Sequence, residues 1–289
     1  MTLSLFWQAI LLALIQGVTE LFPVSSLGHA VILPDLFSWT ISQDEETWLP
    51  FLVVMHLGTA VALLIYFWRD WFDFGMAVVF NKGPRPAEER RLFWRVVVAT
   101  IPAVILGGIF EKNLRHLFSS DTVWIVCIFL MVNGVILFAA DRIKRPAEKS
   151  IDALTWKDAL IIGLWQCGAL IPGISRSGTT MVGGFRAGLN HADAARFSFL
   201  TATPIILGAT ALELPKLLKH HQKVGATLGG GMSMLELSII AGVVAGIAAY
   251  AALWALMRWF KRHDFKAFDP FAFYCLGAGL LFLVIELLP

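Results

Sequence analysis

Long apolar runs parted by short polar stretches make up this chain, and the length of each run decides what it builds. A helix needs about 20 apolar residues to cross roughly 30 Å of hydrocarbon. Six runs meet that length, at about 48–68, 92–110, 122–140, 195–215, 235–259 and 270–288. Two do not. Residues 3–37 are interrupted at Pro23, and the second piece, 25–37, is too short to span. Residues 157–189 follow the same plan, interrupted at Pro172-Gly173 and continued by a short glycine-rich piece. Proline removes a backbone donor and disfavours helix in the residue before it, so both stretches should bend there. We expect helix–loop–helix hairpins that enter the membrane and return to their own side. Irregular backbone at that depth survives only where it faces protein or a wet cavity. The expected fold is an all-α polytopic membrane protein with six transmembrane helices and two re-entrant hairpins.

Composition agrees with this pattern. The 289 residues are 57% hydrophobic and 15% charged, with mean hydropathy +0.72. A soluble domain is nearer 45–50% apolar and about 25% charged. A net charge of +2 is too small to suggest nucleic acid. Cys127, Cys167 and Cys275 are scattered through apolar runs, so they give neither a disulfide framework nor metal-ligand spacing. The first basic residue is Arg69, which leaves the N-terminal run without the basic region of a cleavable signal.

Charge then predicts orientation. If each hairpin returns to its own side, one face carries loops 69–91, 141–157 and 258–269, with 14 Lys and Arg residues. The other face carries Lys112, Arg115, Lys216, Lys219 and Lys223. The positive-inside rule puts the first face in the cytoplasm and both termini outside. Asp44-Glu45-Glu46 reads as an exposed loop.

The two halves also resemble each other. At a constant offset of 150, Gln16 aligns with Gln166, Val24 with Ile174, Ser25 with Ser175, Gly28 with Gly178, and Leu57-Gly58 with Leu207-Gly208. Each half is a hairpin followed by three spans, in opposite orientations. That is the inverted-repeat plan of transporters, in which broken helices meet near the midplane. We expect one membrane domain over 1–289, with repeat 1 at about 1–140 and repeat 2 at about 151–289.

Chemistry concentrates at the two breaks. In Ser175-Arg176-Ser177-Gly178-Thr179-Thr180, hydroxyls and free N–H groups at a helix start sit beside a guanidinium, a set suited to phosphate. Arg176 has two other uses, snorkelling to a surface or pairing with Glu20. In the first break Gln16 and Glu20 are spaced i, i+4 and share a helix face. Glu20 is a candidate carboxylate for Mg²⁺ or Ca²⁺ with substrate phosphates, and equally a candidate base. Ser25 and Ser26 follow Pro23 at the start of the second piece, where capping accounts for one serine. His29 lies one helical turn on, as a base for Ser26 or for a water, or as a core hydrogen-bonding residue. His56, alone in a full span, is a candidate cavity-lining residue.

Gln16-Gly17-Val18-Thr19-Glu20-Leu21-Phe22-Pro23-Val24-Ser25-Ser26-Leu27-Gly28-His29 resembles the first signature of the undecaprenyl-diphosphatase (bacitracin-resistance) family of integral membrane phosphatases. Pro172-Gly173-Ile174-Ser175-Arg176-Ser177-Gly178-Thr179-Thr180 resembles the second, and the likeness covers essentially the whole chain. The resemblance implies a divalent-cation-dependent enzyme of the bacterial inner membrane, often dimeric. Its reaction converts undecaprenyl pyrophosphate to the monophosphate and phosphate. It carries an acidic motif onto Gln16 and Glu20, a serine–histidine pair onto Ser26 and His29, and an arginine onto Arg176. With the chemistry of the residues, we expect catalysis from Glu20, Ser26, His29 and Arg176, metal binding by Glu20, and substrate contacts from Gln16, Ser25, Ser175, Ser177 and Thr180. Relatives often carry Glu at the position of Gln16, a small hydroxyl residue at Leu27 and an acidic residue at Arg196. The competing reading is a polyprenyl-phosphate flippase or anion transporter on the same scaffold.

Overall fold

The computed structural model describes residues 4–39, 48–115, 123–142, 149–224, 227–228, 232–263 and 266–288. The Asp44-Glu45-Glu46 loop and the basic residues Lys144 and Arg145 lie outside them. The described residues form eleven α-helices. The two short runs become broken pairs, α1 (Leu5–Leu21) with α2 (Ser26–Leu36) and α7 (Trp156–Gln166) with α8 (Arg176–Arg186). The six long runs become α3 (Trp48–Tyr66), α5 (Pro86–Arg115), α6 (Val123–Ala140), α9 (His191–Val224), α10 (Met234–Arg262) and α11 (Asp269–Leu287). Between α3 and α5 lies α4 (Trp68–Val79). Five helices are long and apolar enough to cross a membrane, and the bent α3–α4 pair is a sixth by the same test.

Three details depart from the expected pattern. The chain does not enter a loop after α3; it turns by 74° and continues as α4. Arg196 of α9 holds that helix down by donating to Asp70, through Nε at 3.1 Å and through Nη2. An acidic residue at 196 would face the Asp70 carboxylate instead. Helix α5 starts at Pro86 and runs through Pro102, and α9 runs through Pro204 and Pro215, so both are longer than their apolar cores. Thr227–Leu228 and Met232–Ser233 pair as a short antiparallel ribbon, a small addition to an otherwise helical fold. Ser233 ends the ribbon and caps α10, its hydroxyl accepting from Glu236 N–H at 3.2 Å while the Glu236 carboxylate accepts from Ser233 N–H at 2.7 Å.

The helices pair across the two halves. α3 and α1 pack on α10, α7 packs on α5, α6 on α11, and α9 on α3; within the second half α9 also packs on α8. Where α3 crosses α10 the backbones touch: a Cβ placed on Gly58 would lie 1.9 Å from the Gly242 carbonyl oxygen. Such small-residue crossings are how membrane helices approach without a hydrophobic driving force between them.

Candidate active site

The two breaks abut at the centre of the bundle. After α1 the chain turns through Pro23 to Ser25, which adopts φ +66° and caps α2 by accepting from Gly28 N–H at 3.2 Å. A non-glycine residue there is strained, and the surrounding structure must hold it. After α7 and one turn of 3₁₀ helix the second break passes Gly173 at φ +96°. A Cβ on Gly173 would stand 2.4 Å from the Val126 carbonyl, so both conformation and space demand glycine. Ser175 then caps α8, accepting from Gly178 N–H at 3.1 Å. Ideal Cβ atoms on Gly28 and Gly178 would meet Gly173 and Pro23 of the opposite break at 3.2 and 3.3 Å.

Asn133 of α6 clamps the two together. Its side chain is fully buried, donates to the Pro23 carbonyl at 2.9 Å and accepts from Ser175 N–H at 3.0 Å. Ser177 adds a second bridge, donating to the Phe22 carbonyl at 3.1 Å.

Glu20 is the hub. Its Oε1 accepts from Arg176 Nη2 across the breaks. Its Oε2 accepts from Ser26 Oγ at 2.5 Å and Gln16 Nε2 at 3.0 Å, and lies 3.2 Å from His56 Nε2. The other nitrogen of His56 meets the Leu52 carbonyl at 2.8 Å, a pair of contacts that a doubly protonated ring satisfies. Removing Glu20 would strand a nearly buried guanidinium, a loss of about 3–5 kcal/mol for such a pair.

These groups close one end of a cavity of about 290 Å³. Glu20, Ser25, Ser26, His56, Gln166, Ser175 and Arg176 supply most of its polar groups, and the rest is largely aliphatic, from α2, α3, α5, α9 and the second break. Two buried atoms of this group have no side-chain or backbone partner, Arg176 Nη1 and, behind the cavity wall, Gln16 Oε1. The first is a cationic donor left for an anion. The second belongs to an amide whose Nε2 faces Glu20, so the Glu20 carboxylate is the charged oxygen donor that this wall offers a hard divalent cation. Among the described residues no group of three or more His, Cys, Asp and Glu gathers at one point. A cation here would therefore draw most of its ligands from substrate phosphates, as Mg²⁺ commonly does.

Four residues stand differently from expectation. His29 does not hydrogen-bond Ser26; its Nδ1 lies 2.7 Å from the Ser25 carbonyl and its Nε2 2.7 Å from Tyr274 Oη. Helical rotation from Ser25 turns it toward α11, into the core hydrogen-bonding role, and it is absent from the cavity wall. Ser177 and Thr180 are also buried behind the cavity, Thr180 spending its hydroxyl on the Arg176 carbonyl at 2.7 Å. Gln16 reaches the site only through Glu20. In the other direction, His56 joins the carboxylate directly, Gln166 lines the cavity, and Asn133 was not marked out by the sequence at all. A period-150 comparison pointed to Gln166; a lone Asn in an apolar span was the available signal for Asn133.

Fold and site together define a multi-pass helical membrane protein that buries a carboxylate, a hydroxyl and a guanidinium in one amphipathic cavity. The chain belongs to the bacitracin resistance protein BacA family, whose model matches residues 9–281. It is 48% identical to an undecaprenyl-diphosphatase of Granulibacter bethesdensis over 94% of each chain. It is 46% identical to an undecaprenyl-diphosphatase of Acidiphilium cryptum over 96% of each. A protein of Chromobacterium violaceum named undecaprenyl-diphosphatase 2 is also 46% identical, over 97% of this chain and 98% of its own.

Proposed function

We propose that this chain hydrolyses undecaprenyl pyrophosphate to undecaprenyl phosphate and inorganic phosphate, regenerating the lipid carrier of bacterial cell-wall synthesis. The observation that carries this reading is the Glu20 carboxylate, bonded at once to the Ser26 hydroxyl and to Arg176 from the opposite break. The names of the relatives point the same way. Phosphoryl transfer asks a protein chiefly for positioning and charge neutralisation. Arg176, through its unpartnered Nη1, and the start of α8 hold the pyrophosphate. Ser26 Oγ attacks the terminal phosphorus while Glu20 takes its proton. The bond to the bridging oxygen breaks and undecaprenyl phosphate leaves. Water then attacks the phosphoserine, releasing phosphate and restoring the hydroxyl. His56 steadies the carboxylate, and His29 acts indirectly, anchoring the Ser25 carbonyl and with it the strained turn that aims Ser26. Glu20 would hold a Mg²⁺ or Ca²⁺ ion with the substrate; such an ion would neutralise charge on the phosphate oxygens.

The wider arrangement belongs to the same proposal. The broken pairs α1–α2 and α7–α8 are re-entrant hairpins, and the six long helices are the spans of an inverted repeat in one membrane domain of the inner membrane, termini outside. Helix pairing supports it: α1 on α10 answers α7 on α5, and α6 on α11 lies across the repeat axis. A homodimer is compatible with the many exposed apolar side chains on the bundle.

The test is phosphate release from undecaprenyl pyrophosphate by detergent-solubilised protein, with and without EDTA. We expect release that falls at least about tenfold on chelation and returns with Mg²⁺ or Ca²⁺. Background release whatever the metal would favour the flippase or anion transporter instead.

A further inference from the structure

We propose that Arg95 of α5 and the start of α7 form a binding site for the phosphate of an anionic phospholipid, separate from the Glu20–Arg176 cavity. Among the described residues two guanidinium nitrogens are buried without an acceptor. One is Arg176 Nη1 of the active site and the other is Arg95 Nε. Arg95 is only 8% exposed. Its Nη1 donates to the Asp152 carbonyl at 3.0 Å, and its Cζ lies 5.9 Å from the Trp156 ring centroid. The guanidinium therefore sits against the first residue of α7. A cationic donor without an acceptor is costly when buried, and a phosphate oxygen is the acceptor it lacks.

The surrounding charge suits an anion. The first turn of an 11-residue helix carries unsatisfied N–H groups and the positive end of its dipole. Exposed Lys157 stands in that turn, and exposed Arg91 lies one turn before Arg95 on the same face of α5. The carboxylates that act on Arg95, those of Asp152 and Asp158, are already engaged. Asp152 takes Arg85 at 2.6 Å, and Asp158 takes Lys149 at 3.0 Å and closes the capping box with Thr155.

The apolar surroundings make the ligand a lipid. Trp94 and Trp156, one on each helix, are both exposed, and such rings mark the headgroup level of a bilayer. Exposed Leu160 and Leu164 continue down α7 in line with Trp156, at i, i+4 and i+8, and exposed Ile101 lies further down α5. Between these stripes the helices touch: a Cβ on Gly163 would lie 2.4 Å from the Ala99 carbonyl oxygen. Acyl chains would lie on the outer surface of the pair, and none of Arg95, Trp156, Leu160 and Leu164 lines the catalytic cavity. Basic pockets between membrane helices are where anionic headgroups bind. Helix α10 offers a contrast. Arg258 lies 5.3 Å over the ring of exposed Trp254, but Arg258 is itself exposed and leaves no buried donor unpaired.

The experiment titrates delipidated protein in detergent with phosphatidylglycerol and counts bound lipid by native mass spectrometry. Wild type should hold one molecule about tenfold more tightly than phosphatidylcholine, and excess inorganic phosphate should not displace it. Arg95→Gln should weaken this tightest site at least about tenfold, and Arg91→Gln and Lys157→Gln about fivefold each. Arg258→Gln should match wild type. Arg95→Gln also removes the bond to the Asp152 carbonyl, so the two exposed positions carry the test if that variant does not fold. Wild-type affinity in both Arg91→Gln and Lys157→Gln, or an equal loss in Arg258→Gln, overturns the site. Equal binding of phosphatidylcholine, or displacement by inorganic phosphate, overturns an anionic lipid as its ligand. The measurement needs no turnover, so it stands or falls apart from the hydrolase reading.

Discussion

The first break and the second are the same device with opposite charge. In each, a serine caps an 11-residue helix by accepting from the N–H of a glycine three residues on. The next residue is then the first of the short helix: Ser26 in one copy, Arg176 in the other. A hydroxyl and a guanidinium thus stand at corresponding positions 150 residues apart, and both meet the one carboxylate of Glu20. The backbones differ in one respect. Ser25 is held at φ +66° and Ser175 lies at −80°. The strain is on the copy that presents the hydroxyl, where geometry at the reacting atom matters most.

The comparison can be broken most severely at Ser26. Ser26→Ala should lower phosphate release at least roughly a thousandfold with the fold intact, read as single-turnover phosphate and a melting curve. Near-normal release would remove the covalent route and leave Glu20 acting on water. Arg176→Lys tests the other copy. Lysine keeps the charge but not the planar fork that serves Glu20 and an anion together, and we expect about a hundredfold loss in kcat/KM.

Asn133→Ala attacks the clamp between the copies. It leaves the Pro23 carbonyl and the Ser175 N–H without their side-chain partner in a buried place, at about 2–3 kcal/mol. The thermal midpoint in detergent should fall, and kcat with it, about tenfold. The finest test replaces each cap by glycine. Ser25→Gly trades a cap for relief of a left-handed residue and should be close to neutral, whereas Ser175→Gly also loses the bond to Ser177 and should cost about 1 kcal/mol. Equal thermal shifts for the two would erase the backbone difference between the copies.

What the sequence made legible follows from which forces are local. The six long helices and the two breaks answer to run length, Pro23 and Pro172-Gly173, all properties of a few neighbouring residues. Glu20 and Arg176 stood out because charge within apolar sequence is costly, and their pairing was one of the uses open to Arg176. His29 was set beside Ser26 by proximity along the helix, but rotation and the Tyr274 hydroxyl decide where its ring points. His56 and Asn133 depend on packing between segments far apart in sequence: α3 must lie against α1, and α6 against both breaks. Nothing near either residue in the chain encodes that. The bend into α4 was hidden for a similar reason, since its anchor, Arg196, comes 126 residues after Asp70.

The clamp at Asn133 has a consequence for biosynthesis. The ribosome delivers the first break long before the second, so Glu20 enters the membrane while Arg176 has yet to be made. Until α8 docks, the carboxylate has no guanidinium, and the Pro23 turn waits on α6 for its amide. The first half is thus a bound-over intermediate, unfinished in the bilayer until its later twin arrives. A chain truncated before α8 would leave Glu20 with His56 but without Arg176, the cation that joins it to the second break.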